Sequence, residues 1–312
     1  MVEPVLKWAG GKRQLLGEIY ARFPVDYGRY HEPFFGGGAV FFDLEPADGT
    51  VNDTNPRLVN FYRVVRDCPD DLITRLRDFD DPEADPDPDQ EFAEENWKGK
   101  EVTQYFYQQR ARFNRRAYGR EEWPRTDEDR VEEAALLLYL NRTCYNGLYR
   151  ENSSGGFNVP IGRYADPEWV MADRIRAASR ALADTDVRNE DFEYVIDAAC
   201  EGDLVYLDPP YQPMSATANF AEYSAEGFGR EDQERLLETV AELDGRGVRF
   251  VLSNSGVMYE LYDDAGFHVE REDATRSINS DETARGEVDE VIATNVREDD
   301  RAERGQASIT DF

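Results

Sequence analysis

The sequence predicts an α/β fold, and three observations carry that prediction. Short apolar runs end repeatedly in glycine or proline, as buried strands do. Runs of helical character alternate with them along the chain. Apolar residues make up 40% of the 312, against 33% charged, which supplies a core for one large domain or two modest ones.

Taken in order, residues 1 to 62 alternate apolar strands with glycine-rich turns. Residues 78 to 101, DFDDPEADPDPDQEFAEENWKGKE, form a proline-punctuated acidic run that reads as a solvated surface insertion. Helices are expected over 104–118 and 128–141, followed by NRTCYNGLYRENSSGGFNVPIGRY (141–164), which carries the turn signals of a hairpin or structured loop. Helices over 167–183 and 230–245 flank a strand at Leu204-Val205-Tyr206-Leu207. The strand FVLSNS from Phe250 and a final EVIATN from Glu290 complete the alternation. From Arg297 the chain is polar and charged, as expected of a flexible tail. The sequence shows no internal repeat and no heptad.

Composition excludes several classes of function. The longest apolar run, near Ala134 to Leu140, is too short to span a bilayer. The N-terminal MVEPVLKWAGGK lacks the apolar region of a secretory leader, so a cytoplasmic protein with no membrane partner is expected. Cys68, Cys144 and Cys200 are odd in number and far apart, and His31 and His268 are the only histidines. A disulfide framework and a metal centre are therefore not expected. With 66 acidic residues against 36 basic, the net charge is −30, and Lys7, Lys12, Lys98 and Lys100 are the only lysines. Such self-repulsion is tolerable where salt screens it, which points to a high-salt cytoplasm. Charge by itself votes against a nucleic-acid partner.

Three blocks carry chemistry. In LVYLDPPYQP (204–213) a buried strand delivers an acid, a rigid Pro209-Pro210 turn and Tyr211 to one point. In YHEPFFGGGAVFF, from Tyr30, three glycines follow a strand and let backbone approach a ligand or make a tight turn. The segment is not the dinucleotide fingerprint, because Phe41 occupies the last glycine position. Asp53, in VNDTNP, lies fifteen residues after Gly38 at the end of a second strand, where it accepts ribose hydroxyls or caps a helix.

With Leu6-Lys7-Trp8-Ala9-Gly10-Gly11-Lys12 added, the blocks and their order resemble the Dam-type DNA adenine N6-methyltransferases (the D12 class with its DPPY motif). The likeness extends through residues 141–164, Phe220, Tyr223, Phe228 and RSINSDETARGEVDE, over most of residues 5 to 295. It implies a Rossmann-like methyltransferase fold: a seven-stranded, mostly parallel sheet with helices on both faces and an inserted, mainly helical target-recognition subdomain. The expected layout is a catalytic domain over 1–62 and 166–297, recognition over 63–165 with the acidic 78–101 insertion, and a flexible tail over 298–312.

The resemblance also implies S-adenosyl-L-methionine as cofactor, with contacts from Trp8, Lys12, Phe34, Gly36, Gly38, Asp53 and Asp208. Lys12 would pair with the methionine carboxylate, Trp8 would pack near the sulfonium, Asp53 would hold the ribose, and the glycines would admit the cofactor edge. Asp208, Pro209 and Tyr211 form the catalytic set. The acid and the Pro209 carbonyl localise the lone pair of the adenine amino group, and Tyr211 stacks on a base flipped out of duplex DNA.

Over 142–164, Arg142, Arg150 and Arg163 face only Glu151, an island of positive charge in an acidic chain. Family likeness makes Arg150 a guanine reader, Leu148 and Pro160 apolar base contacts and Tyr145 an inserting aromatic, with Asn146 and Arg163 in the same recognition set. Relatives with this block read GATC or a site containing GAT, which is the specificity implied here. Two departures stand out: Arg285-Gly286-Glu287 replaces a more basic stretch, and the acidic insertion would repel phosphate. Both suit molar salt, where the Debye length is about 3 Å. Rival readings are a related enzyme on RNA or on cytosine N4, and a silent DNA-binding protein. Finally, Gln306, Ile309 and Phe312 resemble a peptide that docks on the replication sliding clamp.

Overall fold

The computed structural model describes residues 2–8, 10, 12–81, 101–116, 126–210, 228–275 and 287–301. Tyr211, the tail triad Gln306, Ile309 and Phe312, and most of the acidic insertion lie outside them. In chain order the elements are α1 (Leu16–Tyr20), β1 (Tyr30–Glu32), α2 (Ala39–Leu44), β2 (Gly49–Asn52), α3 (Pro56–Asp67), α4 (Pro69–Asp78), α5 (Glu101–Arg115), α6 (Asp127–Thr143), α7 (Ala172–Ala181), β3 (Thr185–Arg188), α8 (Tyr194–Ala198), β4 (Leu204–Leu207), α9 (Arg230–Gly245), β5 (Arg249–Ser255), α10 (Tyr259–Asp264), β6 (His268–Thr275) and β7 (Glu287–Thr294). Among the described residues no helix is long and apolar enough to cross a membrane.

The chain divides into two compact units that interleave along the sequence. The sheet unit comprises residues 12–35, 44–54 and 184–312. Its seven strands run in the order β3-β2-β1-β4-β5-β7-β6. The first five pair in parallel, whereas β7 is antiparallel to both β5 and β6. This is the seven-stranded, mostly parallel sheet that the resemblance implies. The inner strands β1, β2 and β4 are buried along their whole length, so Leu204-Val205-Tyr206-Leu207 reads as a continuous apolar run. Leu236, Val240 and Leu243 of α9 lie in one core with Val205, Leu207, Phe250 and Leu252 of the sheet.

The helical unit comprises residues 1–11, 36–43 and 55–183 and holds α3 to α7. It is wider than the 63–165 segment, and α7 belongs to it rather than to the sheet unit. Asn55 starts α3 by accepting the Arg57 and Leu58 backbone N–H groups, with Pro56 in the first turn. Pro69 follows the end of α3 at Cys68 and opens α4. Thr126 caps α6, whose residues from Glu133 to Asn141 are all buried. A helix buried all round is the centre of its unit. Burial pushes the Glu133 carboxyl up to about 7 against the opposing pull of Arg57 and Arg116, which lie 3.4 and 3.2 Å away.

Candidate active site

In the sheet unit, strand order reverses between β1 and β4, and ligands of open α/β sheets bind outside the carboxyl ends of strands at such a point. Three predicted residues follow carboxyl ends: Phe34 after β1, Asp53 after β2 and Asp208 after β4. A residue not foreseen from the sequence organises the first two. Asn52, fully buried at the end of β2, donates to the Pro33 and Glu190 carbonyls at 3.0 Å and accepts the Glu190 N–H at 2.8 Å. One amide thus ties together the loops that leave β1, β2 and β3. Phe34 stacks on Phe192 at 5.3 Å and meets the edge of Phe228 at 5.5 Å. The Asp53 backbone is fixed from Asn189, whose side chain donates to its carbonyl at 2.8 Å.

Asp208 is the centre of the cluster. Its side chain is 21% exposed, and Lys12 Nζ lies 2.8 Å from Oδ1. Lys12 is buried, and Glu290 of β7 stands 3.9 Å from the same ammonium. Ser253 of β5 donates to Asp208 Oδ1 at 3.1 Å, and Tyr206 of β4 bonds Ser253 at 3.0 Å. Burial and the Asp208 charge drive the Tyr206 phenol well above its ordinary range, so it stays a neutral hydroxyl. Pro209 is buried behind the acid. Among the described residues the nearest carboxylate to Lys12 is Asp208. A half-exposed acid held by a buried cation and a hydroxyl keeps a fixed hydrogen-bond acceptor at the strand end.

In the helical unit, Trp8 stacks on Tyr149, with ring centroids 5.3 Å apart and planes at 24°. A Cβ on Gly36 would lie 3.0 Å from Trp8 Cδ1, and one on Gly37 2.9 Å from Trp8 Cβ. Trp8 therefore packs directly against the backbone of those two glycines. Gly36 and Gly38 also adopt φ of +49° and +67°, which other residues rarely tolerate.

The predicted recognition residues lie together in this unit. Residues 141–164 fold back through paired positions Cys144 with Ile161 and Glu151 with Phe157, and Tyr145 N–H donates to the Pro160 carbonyl at 2.9 Å. Tyr145 is 42% exposed, and Asn146 sits at φ +55° in the turn before Gly147. Leu148 is half-buried, and Arg150, Pro160 and Arg163 are exposed. Arg150 Nε donates to Asn158 Oδ1 at 2.6 Å, which aims the guanidinium from across the hairpin.

Two further residues escaped sequence reasoning. Asn141, at the end of α6, accepts the Lys7 N–H at 2.9 Å and donates to the Lys7 and Gly147 carbonyls at 2.7 and 2.9 Å. Its amide pairs with the Lys7 backbone as a neighbouring strand would. Lys7 then places its ammonium 4.5 Å from the Tyr164 ring. Burial, with Arg142 nearby, lowers the Lys7 pKa below its ordinary value. The signal for Lys7 was its rarity as a lysine; Asn141 gave none.

Comparison with known proteins agrees with this geometry. Residues 8–278 match the family described as D12 class N6 adenine-specific DNA methyltransferase. The chain is 38% identical over 299 residues to the type II methyltransferase M1.LlaDCHI of Lactococcus lactis subsp. cremoris, covering 94% of this chain and 95% of that protein. It is 36% identical to the type II methyltransferase M.MjaIII of Methanocaldococcus jannaschii, over 89% of this chain and 93% of the relative. It is 34% identical to the DNA adenine methylase of Escherichia coli K12, over 92% and 93% of the two chains.

Proposed function

The chain belongs to the D12 class of N6 adenine-specific DNA methyltransferases, and from that premise we propose that it methylates adenine N6 in duplex DNA at GATC, or a site containing GAT, with S-adenosylmethionine as donor and the target base flipped out. The observation that carries the reading is Asp208, fixed at the end of β4 beside the switch point by Lys12 and Ser253.

The adenine amino lone pair is delocalised into the ring. A carboxylate that accepts one amino hydrogen, with the Pro209 carbonyl accepting the other, returns electron density to nitrogen where the new bond forms. Because Asp208 is already held before substrate arrives, no reorganisation is required at the moment of reaction. When bound, S-adenosylmethionine supplies an electrophilic methyl group on a sulfonium. The residues fit such a ligand: a half-buried Asp53 for hydroxyls, a half-exposed Trp8 indole, and a glycine turn in a conformation closed to bulky residues. Trp8, Lys12, Phe34, Gly36, Gly38, Asp53 and Asp208 would hold it. Tyr211 would stack on the flipped base. Arg150, Leu148 and Pro160 would read the site, with Tyr145 filling the space the adenine leaves and Asn146 and Arg163 completing the contact.

The net charge of −30 supports work in concentrated salt. The test is methylation of unmodified duplex with labelled cofactor in molar potassium chloride, followed by mapping of the base. Label on the adenine of GATC, lost in Asp208→Ala, is expected. Arg150→Ala should relax discrimination at the guanine about 10- to 100-fold. Label on cytosine, or on RNA alone, would sink the assignment; full activity of folded protein at low salt would sink the salt adaptation.

A further inference from the structure

We infer that Ser253 is a positioning residue for the transfer, the last link of a one-way hydrogen-bond relay from Tyr206 that fixes the plane of the Asp208 carboxylate. The inference rests on Asp208 being the acceptor proposed above. Ser253 has one hydroxyl hydrogen, and it is committed to Asp208 Oδ1 at 3.1 Å. In the 3.0 Å contact between Tyr206 and Ser253 the phenol must therefore donate. The relay runs in one direction, Tyr206 to Ser253 to Asp208.

Both upstream groups are built in rather than incidental. Ser253 and Tyr206 are fully buried on β5 and β4, two strands in parallel register with Leu207 opposite Leu252. A carboxylate turns easily about its last side-chain bond, because that torsion has a broad two-fold profile. Lys12 and Ser253 engage the same oxygen, Oδ1, from two different elements. Two donors on one oxygen stop that turn and fix the plane of the carboxylate. Lys12 alone, a flexible side chain with a rotating ammonium and a second carboxylate at 3.9 Å in Glu290, would not. Ser253 supplies the directional half of the clamp. A methyl transfer tolerates little misplacement of the amino group, so the loss should appear in turnover and not in binding.

The test is a kinetic cycle on the full-length protein with Ser253→Ala, Tyr206→Phe, the double variant and Asp208→Ala, each checked for folding by thermal melting. Ser253→Ala should lower kcat about 10- to 100-fold, with KM for cofactor and for DNA within about twofold. Tyr206→Phe should lower kcat about threefold or more. The double variant should match Ser253→Ala, since Tyr206 acts only through the serine. Unchanged kcat in folded Ser253→Ala, a loss confined to KM, or losses that multiply in the double variant would overturn the relay. Should Ser253→Ala fail to fold, unchanged turnover in Tyr206→Phe overturns it instead. Asp208→Ala separates the two levels. If it abolishes turnover while Ser253→Ala leaves kcat unchanged, only the relay falls; if it keeps turnover, the assignment of the acceptor falls first.

Discussion

Two aspartates bracket the four residues of β4, and they are held in opposite ways. Asp203, just before Leu204, is buried and accepts from backbone: the N–H groups of Arg29 and Cys200 at 2.8 and 2.9 Å, with His31 at 3.2 Å. Asp208, just after Leu207, is partly open and is held by side chains, Lys12 and Ser253. Backbone donors anchor a carboxylate to the fold and bring the fold with it. Side-chain donors orient a carboxylate that still faces outward. The amino end of the strand is thus a fastening and the carboxyl end a tool, which is the division of labour expected of a parallel sheet with its ligand at the carboxyl ends.

Exchange of the two roles is the strongest way to break this contrast. Asp208→Ala should cost about 10³-fold in turnover while the melting temperature barely moves. Asp203→Ala should do the reverse. It leaves two backbone donors and His31 without their acceptor, a loss of about 3 kcal/mol in chemical denaturation, while each folded molecule methylates normally. If both substitutions reduced turnover equally at equal folded fraction, the two ends would not differ in role.

Acid sharpens the comparison further. Burial outweighs the pull of Asp203 and lowers the His31 pKa, so the folded protein keeps the ring neutral. Below about pH 6.5 the unfolded chain takes up a proton that the fold refuses, and stability falls. Burial raises the Asp203 pKa, but hydrogen bonds from Cys200, Arg29 and His31 outweigh it and leave a net lowering. Its contribution is present above the ordinary carboxylate range and is lost as pH falls through the folded value. Both slopes run the same way, and His31→Asn should flatten the one between pH 6.5 and 5 in denaturation curves. Glu133 in the helical unit runs oppositely. Raised to about 7, it contributes below the ordinary carboxylate range, and that contribution is lost as pH rises through about 7. Glu133→Gln should remove that alkaline loss. The smallest expected change is Tyr194→Phe, which takes from buried Thr50 a hydroxyl partner at 2.7 Å. About 1 kcal/mol of stability and no change in turnover are expected.

What the sequence made legible follows from what is local. A strand of four apolar residues closed by Asp-Pro-Pro declares β4 and its acid without reference to anything else. The helix read over 230–245 is α9, Arg230–Gly245, because its start and periodicity are local too. The helix expected over 128–141 runs from Asp127 to Thr143, where Thr126 and three first-turn acids mark the start. The partners of Asp208 were not legible. Lys12 is almost two hundred residues away and Ser253 another forty-five beyond, and nothing in a sequence states which strands become neighbours. Asn52 was passed over for the more conspicuous Asp53 beside it. Its buried amide shows its purpose only when three loops converge. Trp8 illustrates a subtler limit: the glycines near it were legible as a place of close approach, but not what approaches them.

The insertion of β7 between β5 and β6 has a consequence for how the molecule comes into being. Every parallel strand has been synthesised by the time Ser255 leaves the ribosome, yet β5 lacks its second neighbour until Glu287–Thr294 is made. The strand that carries Ser253 therefore waits as an unfinished edge while the next 39 residues, through Thr294, are translated. Glu290, the second acid at the Lys12 ammonium, arrives in that same last piece. A nascent chain can bury its first four strands early, but the cluster around Lys12 is completed only by the final strand of the sheet, a long-range closure that is slow by nature. Until then the Lys12 ammonium lacks its second acid.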